Sequence, residues 1–195
     1  QNKAIAPTPT IGGVGLIANL DNMITKDFKE IGSNILVVGK TSGHLNQSEF
    51  FKEVVNITSG PPPEINLFNE KNNGLSIQEL NKAKLINAAH DISAGGILVA
   101  LTEMCISNKI GANINQPIDN ISLNEYFFGE DQSRYLIEIS EKNRNKVIKI
   151  LEENSVYFEI LGKTQKNILN LNKEFKVDVS ELKDLNSSWF KSYFK

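Results

Sequence analysis

Ala88-Ala89-His90-Asp91-Ile92-Ser93-Ala94-Gly95-Gly96-Ile97 is the stretch that decides how this chain is read. A short apolar segment from Leu85 leads into it. Ile97, Leu98, Leu101, Met104 and Cys105 follow at helical spacing. The pattern is a strand, a tight polar turn and a helix. A helix start carries unpaired backbone N–H groups and partial positive charge, and Gly95 and Gly96 have no Cβ to keep an anion away. Ser93 is placed to cap the helix, and Asp91 to hold a hydroxyl, an amide or a metal-bound water. A plainer reading fits the same residues: a Ser-capped helix start, a Gly-Gly turn for close packing, and His90 as a hydrogen-bonded structural histidine. The stretch is neither a Walker A loop nor G-x-G-x-x-G.

Working outward, the periodicity predicts a strand over 85–89, a helix over 95–108 and strands over 110–115 and 134–140. A helix over 142–153 and a strand over 157–161 follow. This β-α-β-β-α-β order is the split βαβ arrangement of ferredoxin-like folds, an α+β sheet with helices on one side. The run Arg134 to Ile139 alternates, so one face is expected to be solvated or packed differently. Residues 168–171 and 175–179 read as a hairpin around Asn172-Lys173-Glu174, and a short helix starts at 180–183. The aromatic tail of Trp189, Phe190, Tyr193 and Phe194 is expected to dock back on the body; exposed, it would be an interaction patch. Upstream, Asn34 to Gly39 is a strand, and Val14, Leu16 and Ile17 favour another despite three glycines. Pro61-Pro62-Pro63 is a stiff break before a helix from about Glu64 to Lys82, weakened at Asn73-Gly74.

The 195 residues suit one large domain, or one domain with a piece of another, and 40% hydrophobic content is sufficient for a core. The net charge of −2 comes with no basic stripe for nucleic acid. Cys105 is the single cysteine and lies on an apolar helix face, as a small core residue; with two distant histidines it makes no zinc site. No run approaches a transmembrane helix, and the N-terminus does not resemble a signal peptide. The expectation is a cytoplasmic protein without membrane partners.

Two polar segments remain. Thr41 to Phe50, with Gly43, His44, Gln47 and Ser48, is either a surface connection or a ligand-facing loop leading into a short helix. Glu130, Asp131 and Gln132, before the 134–140 strand, could take a sugar hydroxyl, an amide or magnesium. Otherwise they are a solvated strand start with an Asp131–Arg134 surface pair.

Five motifs then occur in order: Pro7 to Leu16, Gly43-His44-Leu45-Asn46-Gln47-Ser48, Gly60-Pro61-Pro62-Pro63, His90 to Gly96, and Phe128-Gly129-Glu130-Asp131-Gln132-Ser133-Arg134. Together they resemble the synthetase subunit of the phosphoribosylformylglycinamidine synthase family, over its C-terminal quarter to third and over essentially this whole chain. The resemblance implies a domain like the C-terminal one of aminoimidazole ribonucleotide synthetase, with a split βαβ core and a sheet covered by helices. It implies residues 1–42 as the tail of a second A-type domain and 43–195 as a second B-type domain.

The implied reaction is that of an ATP-dependent C–N ligase in purine biosynthesis. ATP, with Mg2+, phosphorylates the amide oxygen of formylglycinamide ribonucleotide, and glutamine-derived ammonia displaces the phosphate. The implied partners in this amidotransferase complex are the rest of the synthetase chain, a glutaminase subunit, a small bridging subunit and nucleotide ligands. No catalytic residue and no metal ligand carries over to this chain, and the fragment alone is expected to be inactive. His90, Asp91, Ser93, Gly95 and Gly96 map to the phosphate turn of a non-catalytic nucleotide pseudosite. Ala94 stands there where the family commonly has Asp. Gly43, His44, Gln47, Ser48, Glu130, Asp131 and Gln132 map to its ligand-facing loops, with Asp131 in place of a family serine. A stand-alone nucleotide-binding or assembly module of the same fold is the alternative.

Overall fold

Asn34-Ile35-Leu36-Val37-Val38 forms β1 (Asn34–Val38), and all five residues are buried. Its alternating side chains serve both faces of one sheet. Ile35 and Val37 point into one apolar cluster, Leu36 and Val38 into the other. The computed structural model describes residues 10–115 and 121–193. Pro7 to Pro9 of the first motif and Phe194 of the aromatic tail lie outside these. After β1 come α1 (Leu67–Lys82), β2 (Ala88–Asp91), α2 (Gly96–Ile106), β3 (Ile110–Ile114), α3 (Leu123–Phe128) and β4 (Tyr135–Ile139). The chain continues through α4 (Arg144–Glu153), β5 (Phe158–Lys166), β6 (Ile168–Leu171), β7 (Phe175–Asp178) and α5 (Val179–Tyr193).

The seven strands run in the order β2-β4-β1-β5-β3-β6-β7. All described pairs are antiparallel except β3 with β6. The split βαβ core is present, but with different members from those the spacing predicts. β1, α1 and β2 form one unit with β4 inserted between the strands; β4, α4 and β5 form the other with β1 inserted. The α2–β3 unit, expected as the first half of this core, instead crosses to the far side, where β3 pairs with β5 and β6. The expected domain boundary at residue 42 therefore falls just after a strand that is hydrogen-bonded on both edges. Residues before β1 also belong to this body. Phe28 is fully buried in the core, and its N–H meets Met104 O at 3.0 Å.

Helices cover both faces, not one. α1 and α4 cover the face of Leu36, Val38, Ile137 and Ile139 through Leu80, Val147 and Leu151. α2, α3 and α5 cover the other through Ile97, Leu101, Met104, Tyr126, Phe127 and Val179. Each such fully buried aliphatic side chain contributes roughly 1.5–3 kcal/mol. Of the two alternatives for the 134–140 strand, this double cover removes the solvated face and leaves two faces packed differently: Leu136, Ile137, Glu138 and Ile139 are all buried. Glu138 is tolerated because its carboxylate accepts the N–H groups of Lys29 at 2.7 Å and Glu30 at 2.9 Å.

Other boundaries move for local reasons. Asn66, not Glu64, opens α1, its Oδ1 accepting Asn69 N–H, and the helix runs through Asn73-Gly74 unbroken. The short helix at 180–183 extends as α5 to Tyr193. Residues 11–17 form no strand, because their glycines weaken it and none of the described strands pairs with them; Ile11, Val14 and Leu16 stand exposed. Trp189, Phe190 and Tyr193 are more than half exposed. They pack on one another at the exposed end of α5. Among the described residues no helix is long and apolar enough to cross a membrane.

Candidate functional site

β2 ends on His90 and Asp91, and α2 begins five residues later. Gly95, not Ser93, is the N-cap, and no side chain caps the helix there. Gly95 and Gly96 both adopt left-handed conformations, with φ of 80° and 66°. A Cβ on Gly96 would lie 2.7 Å from the carbonyl oxygens of Phe127 and Gly129. Gly96 thus serves a close backbone approach between this turn and the end of α3, while a Cβ on Gly95 would meet the Val99 side chain. The N–H of Gly95 is also taken: it donates to Glu130 Oε1 at 2.7 Å.

Glu130 Oε1 also accepts the N–H of Glu49 at 2.8 Å, so one carboxylate oxygen joins two helix starts. Asp131 does similar work on the facing loop. Its Oδ2 accepts Ser42 N–H at 3.1 Å and Gly43 N–H at 2.9 Å, and its Oδ1 accepts His44 N–H at 3.3 Å. Arg134, expected as part of a surface pair, is 1% exposed. Its guanidinium donates to Gly129 O at 2.6 Å, Asp131 O at 3.1 Å and Thr41 Oγ1 at 3.1 Å, with Asp131 Oδ2 3.8 Å away. Burial lowers its pKa, and the neighbouring Asp131 opposes that shift. Ser133 between them has φ of 62° and is held by Asn73 Nδ2, which donates to its carbonyl at 2.8 Å. Gln132 alone in this segment projects its side chain to solvent.

These contacts frame a cleft of about 660 Å3. Its walls are the Ser42–Asn46 loop, the start of α1 at Asn66, Asn69 and Asn73, and Asp131 to Ser133. Gly43, His44, Asp131 and Gln132 of the expected ligand loops line it; Gln47 and Ser48 do not. The Gln47 side-chain amide donates to Gly60 O. Ser48 is fully buried and starts the next helical turns, its Oγ accepting Phe51 N–H at 3.2 Å. His44 Nε2 pairs with Pro61 O at 3.1 Å, which folds the proline joint across the cleft mouth. The sequence reading missed the α1 wall. Its signal was present in the stiff prolines, which turn the start of α1 back toward the 42–46 loop.

A second hollow of about 330 Å3 lies alongside and shares Gln132 and Ser133. Asp91, Ser93 and Glu130 line it. His90 points elsewhere: its Nε2 lies 2.8 Å from Glu103 Oε2 and its Nδ1 3.2 Å from Asp91 Oδ1. Glu103 in turn pairs with Lys26 at 2.7 Å. Burial raises the pKa of Glu103, but the Lys26 and His90 hydrogen bonds outweigh it and the pKa falls. Both ring nitrogens of His90 are thus engaged within the fold. Among the described residues no group of three or more His, Cys, Asp or Glu is arranged to hold a metal ion.

Three comparisons place this geometry. The family described as AIR synthase related protein, C-terminal domain, matches residues 30–169. The chain is 49% identical over all 195 residues to the phosphoribosylformylglycinamidine synthase subunit PurL of Pelagibacter ubique (strain HTCC1062), but spans only 27% of that protein's length. Thermotoga maritima PurL complexed with FGAR has a similar fold, with a TM-score of 0.72 at 18% identity over 84% of this chain and 30% of the other. The PurLQS structure from the same organism gives 0.67 at 18% identity, over 85% and 28%. A family match that begins before β1 and takes in the whole split βαβ core leaves one assignment: this chain belongs to the AIR synthase related family, as its C-terminal domain.

Proposed function

We propose that this chain works as the C-terminal part of a phosphoribosylformylglycinamidine synthase, an ATP-dependent ligase of purine biosynthesis. The 49% identity that runs through every residue to the Pelagibacter PurL carries this reading. In that reaction an amide carbonyl becomes reactive once its oxygen is phosphorylated, and ammonia displaces the phosphate. The chain's share is the second B-type domain and its 660 Å3 cleft, which binds or braces a ligand. Catalytic residues come from the rest of the synthetase. The partners are that remaining chain, a glutaminase subunit and a small bridging subunit, in the cytoplasm.

Magnesium does not fit the residues here. Both oxygens of Asp131 and one of Glu130 accept backbone N–H groups, and no group of three or more His, Cys, Asp or Glu is arranged for a cation among the described residues. ATP and magnesium chemistry therefore belongs to the remainder of the enzyme. The burial of Phe28 and the central place of β1 support a junction with the preceding A-type domain that lies before Phe28.

The test is a chimaera in which this chain replaces the C-terminal quarter of the Pelagibacter subunit. Glutamine- and ATP-dependent amidine formation is expected from the chimaera with its partners, and none from this chain alone. A folded, assembled but inactive chimaera would overturn the proposal. Turnover by the isolated chain would overturn the assignment of catalysis elsewhere.

A further inference from the structure

Two clusters of backbone N–H groups face the hollows in the way a phosphate requires, and both are already filled. At the Ser42–His44 bend three successive N–H groups converge on Asp131. At the Gly95 turn and the start of the 49–55 helical segment, two N–H groups converge on one oxygen of Glu130. The cation of the second hollow is committed as well. Arg134 is buried and bonded to Gly129, Asp131 and Thr41. The hollows are acidic besides. Glu64, Glu125 and Asp131 line the first against Lys40, and Glu70, Asp91 and Glu130 line the second against the committed Arg134. A free phosphate would meet mostly acidic walls and would find both backbone N–H clusters occupied, leaving Lys40 and side-chain amides as the donors in the first hollow.

We propose that Glu130 and Asp131 are built-in anions filling both N–H clusters, so that the cleft receives the uncharged hydroxyl- or amide-bearing part of a ligand, against Gln132, and no phosphate. This rests on the reading of the cleft as a ligand site given above. Glu130 and Asp131 are positioning residues; they hold the 42–49 loop and the Gly-Gly turn in place as cleft walls. Gln132 offers both a donor and an acceptor, which suits a hydroxyl or an amide.

The test is amide NMR on the 195-residue chain with inorganic phosphate as the probe. In the unaltered chain the Gly43 and Gly95 amides do not shift with millimolar phosphate. In Glu130→Ala the Gly95 amide exchanges about tenfold faster, as expected for a lost charged acceptor, and shifts saturably with phosphate. A saturable shift in the unaltered chain overturns the proposal, and so does unchanged exchange in the variant. Should Glu130→Ala fail to fold, Glu130→Gln keeps the shape, removes the charge and is read by the same phosphate shift. A second arm follows the Gln132 side-chain amide during titration with formylglycinamide ribonucleoside and with its 5′-phosphate. Affinities equal within about threefold support the proposal, and a gain of about tenfold from the phosphate overturns it. No response of Gln132 to either overturns the ligand class. An inactive chimaera would instead strike at the synthase reading and leave these NMR results standing.

Discussion

Asp131 Oδ2 accepts the N–H of Gly43 at 2.9 Å across 88 residues of chain, and that bond pins the mouth of the cleft to its floor. Asp131→Ala removes the acceptor for three N–H groups and the carboxylate nearest to buried Arg134. The expected loss is about 2–4 kcal/mol of stability, read as a lower urea midpoint. Arg134→Lys is expected to lose stability too, because an ammonium cannot reach Gly129, Asp131 and Thr41 together as the planar fork does. Midpoints within error of the unaltered chain would remove the clamp from the account.

Glu138 sets a pH dependence of opposite sign to the usual carboxylate. Burial raises its pKa above the ordinary range, and the N–H groups of Lys29 and Glu30 oppose that only in part. The folded state therefore holds this proton more tightly than the unfolded state. Its contribution is fully present below the unfolded pKa and is lost as pH rises through the raised folded value. Unfolding free energies measured across the mildly acidic range, for the unaltered chain and Glu138→Gln, check the sign. A stability difference between the two that does not change with pH would contradict it.

Two glycines are expected to respond in opposite directions. Gly96→Ala must force a Cβ to 2.7 Å from two carbonyl oxygens at φ of 66°, and should cost about 2 kcal/mol or more. Gly74 lies inside α1, and a Cβ there meets only Tyr135 Oη at 3.4 Å. Gly74→Ala should stabilise by about 0.5–1 kcal/mol. Thermal unfolding of the pair decides the matter: a Gly96→Ala that does not destabilise would mean the turn is looser than described, and a destabilising Gly74→Ala would contradict the reading of α1.

Cys105 is buried, and burial pushes its thiol pKa up to about 12. An aromatic disulfide reagent should leave the native chain unmodified and label one thiol after denaturation. Rapid labelling of the native chain would show that α2 opens readily.

Much of this was legible because local pattern and tertiary context agree. The β1 run is apolar at all but its first position, and the α2 face repeats at helical spacing, so both fall where the sequence places them. Membership of the split βαβ core was not legible. Periodicity names strands but not their neighbours, and β1 is separated from its partners by about a hundred residues or more. Gly43, His44, Asp131 and Gln132 come from distant motifs and line one cleft, while Gln47 and Ser48 of the same motif do not. The roles of Glu130 and Asp131 were hidden because a carboxylate that caps backbone N–H groups has the same composition as one that awaits a ligand. Arg134 was misread for a related reason: nothing nearby in sequence announces that Gly129, Asp131 and Thr41 will close over it.

The central place of β1 also constrains the order of events at the ribosome. Residues 34–38 emerge first among the strands, yet their two sheet partners, β4 and β5, are made about a hundred residues later. Until then Ile-Leu-Val-Val is an unpaired apolar ribbon with both edges open, the kind of segment that joins the wrong neighbour. Folding of this unit cannot proceed by growth from its N-terminus. The pairing of β1 must wait until β4 and β5 have been made.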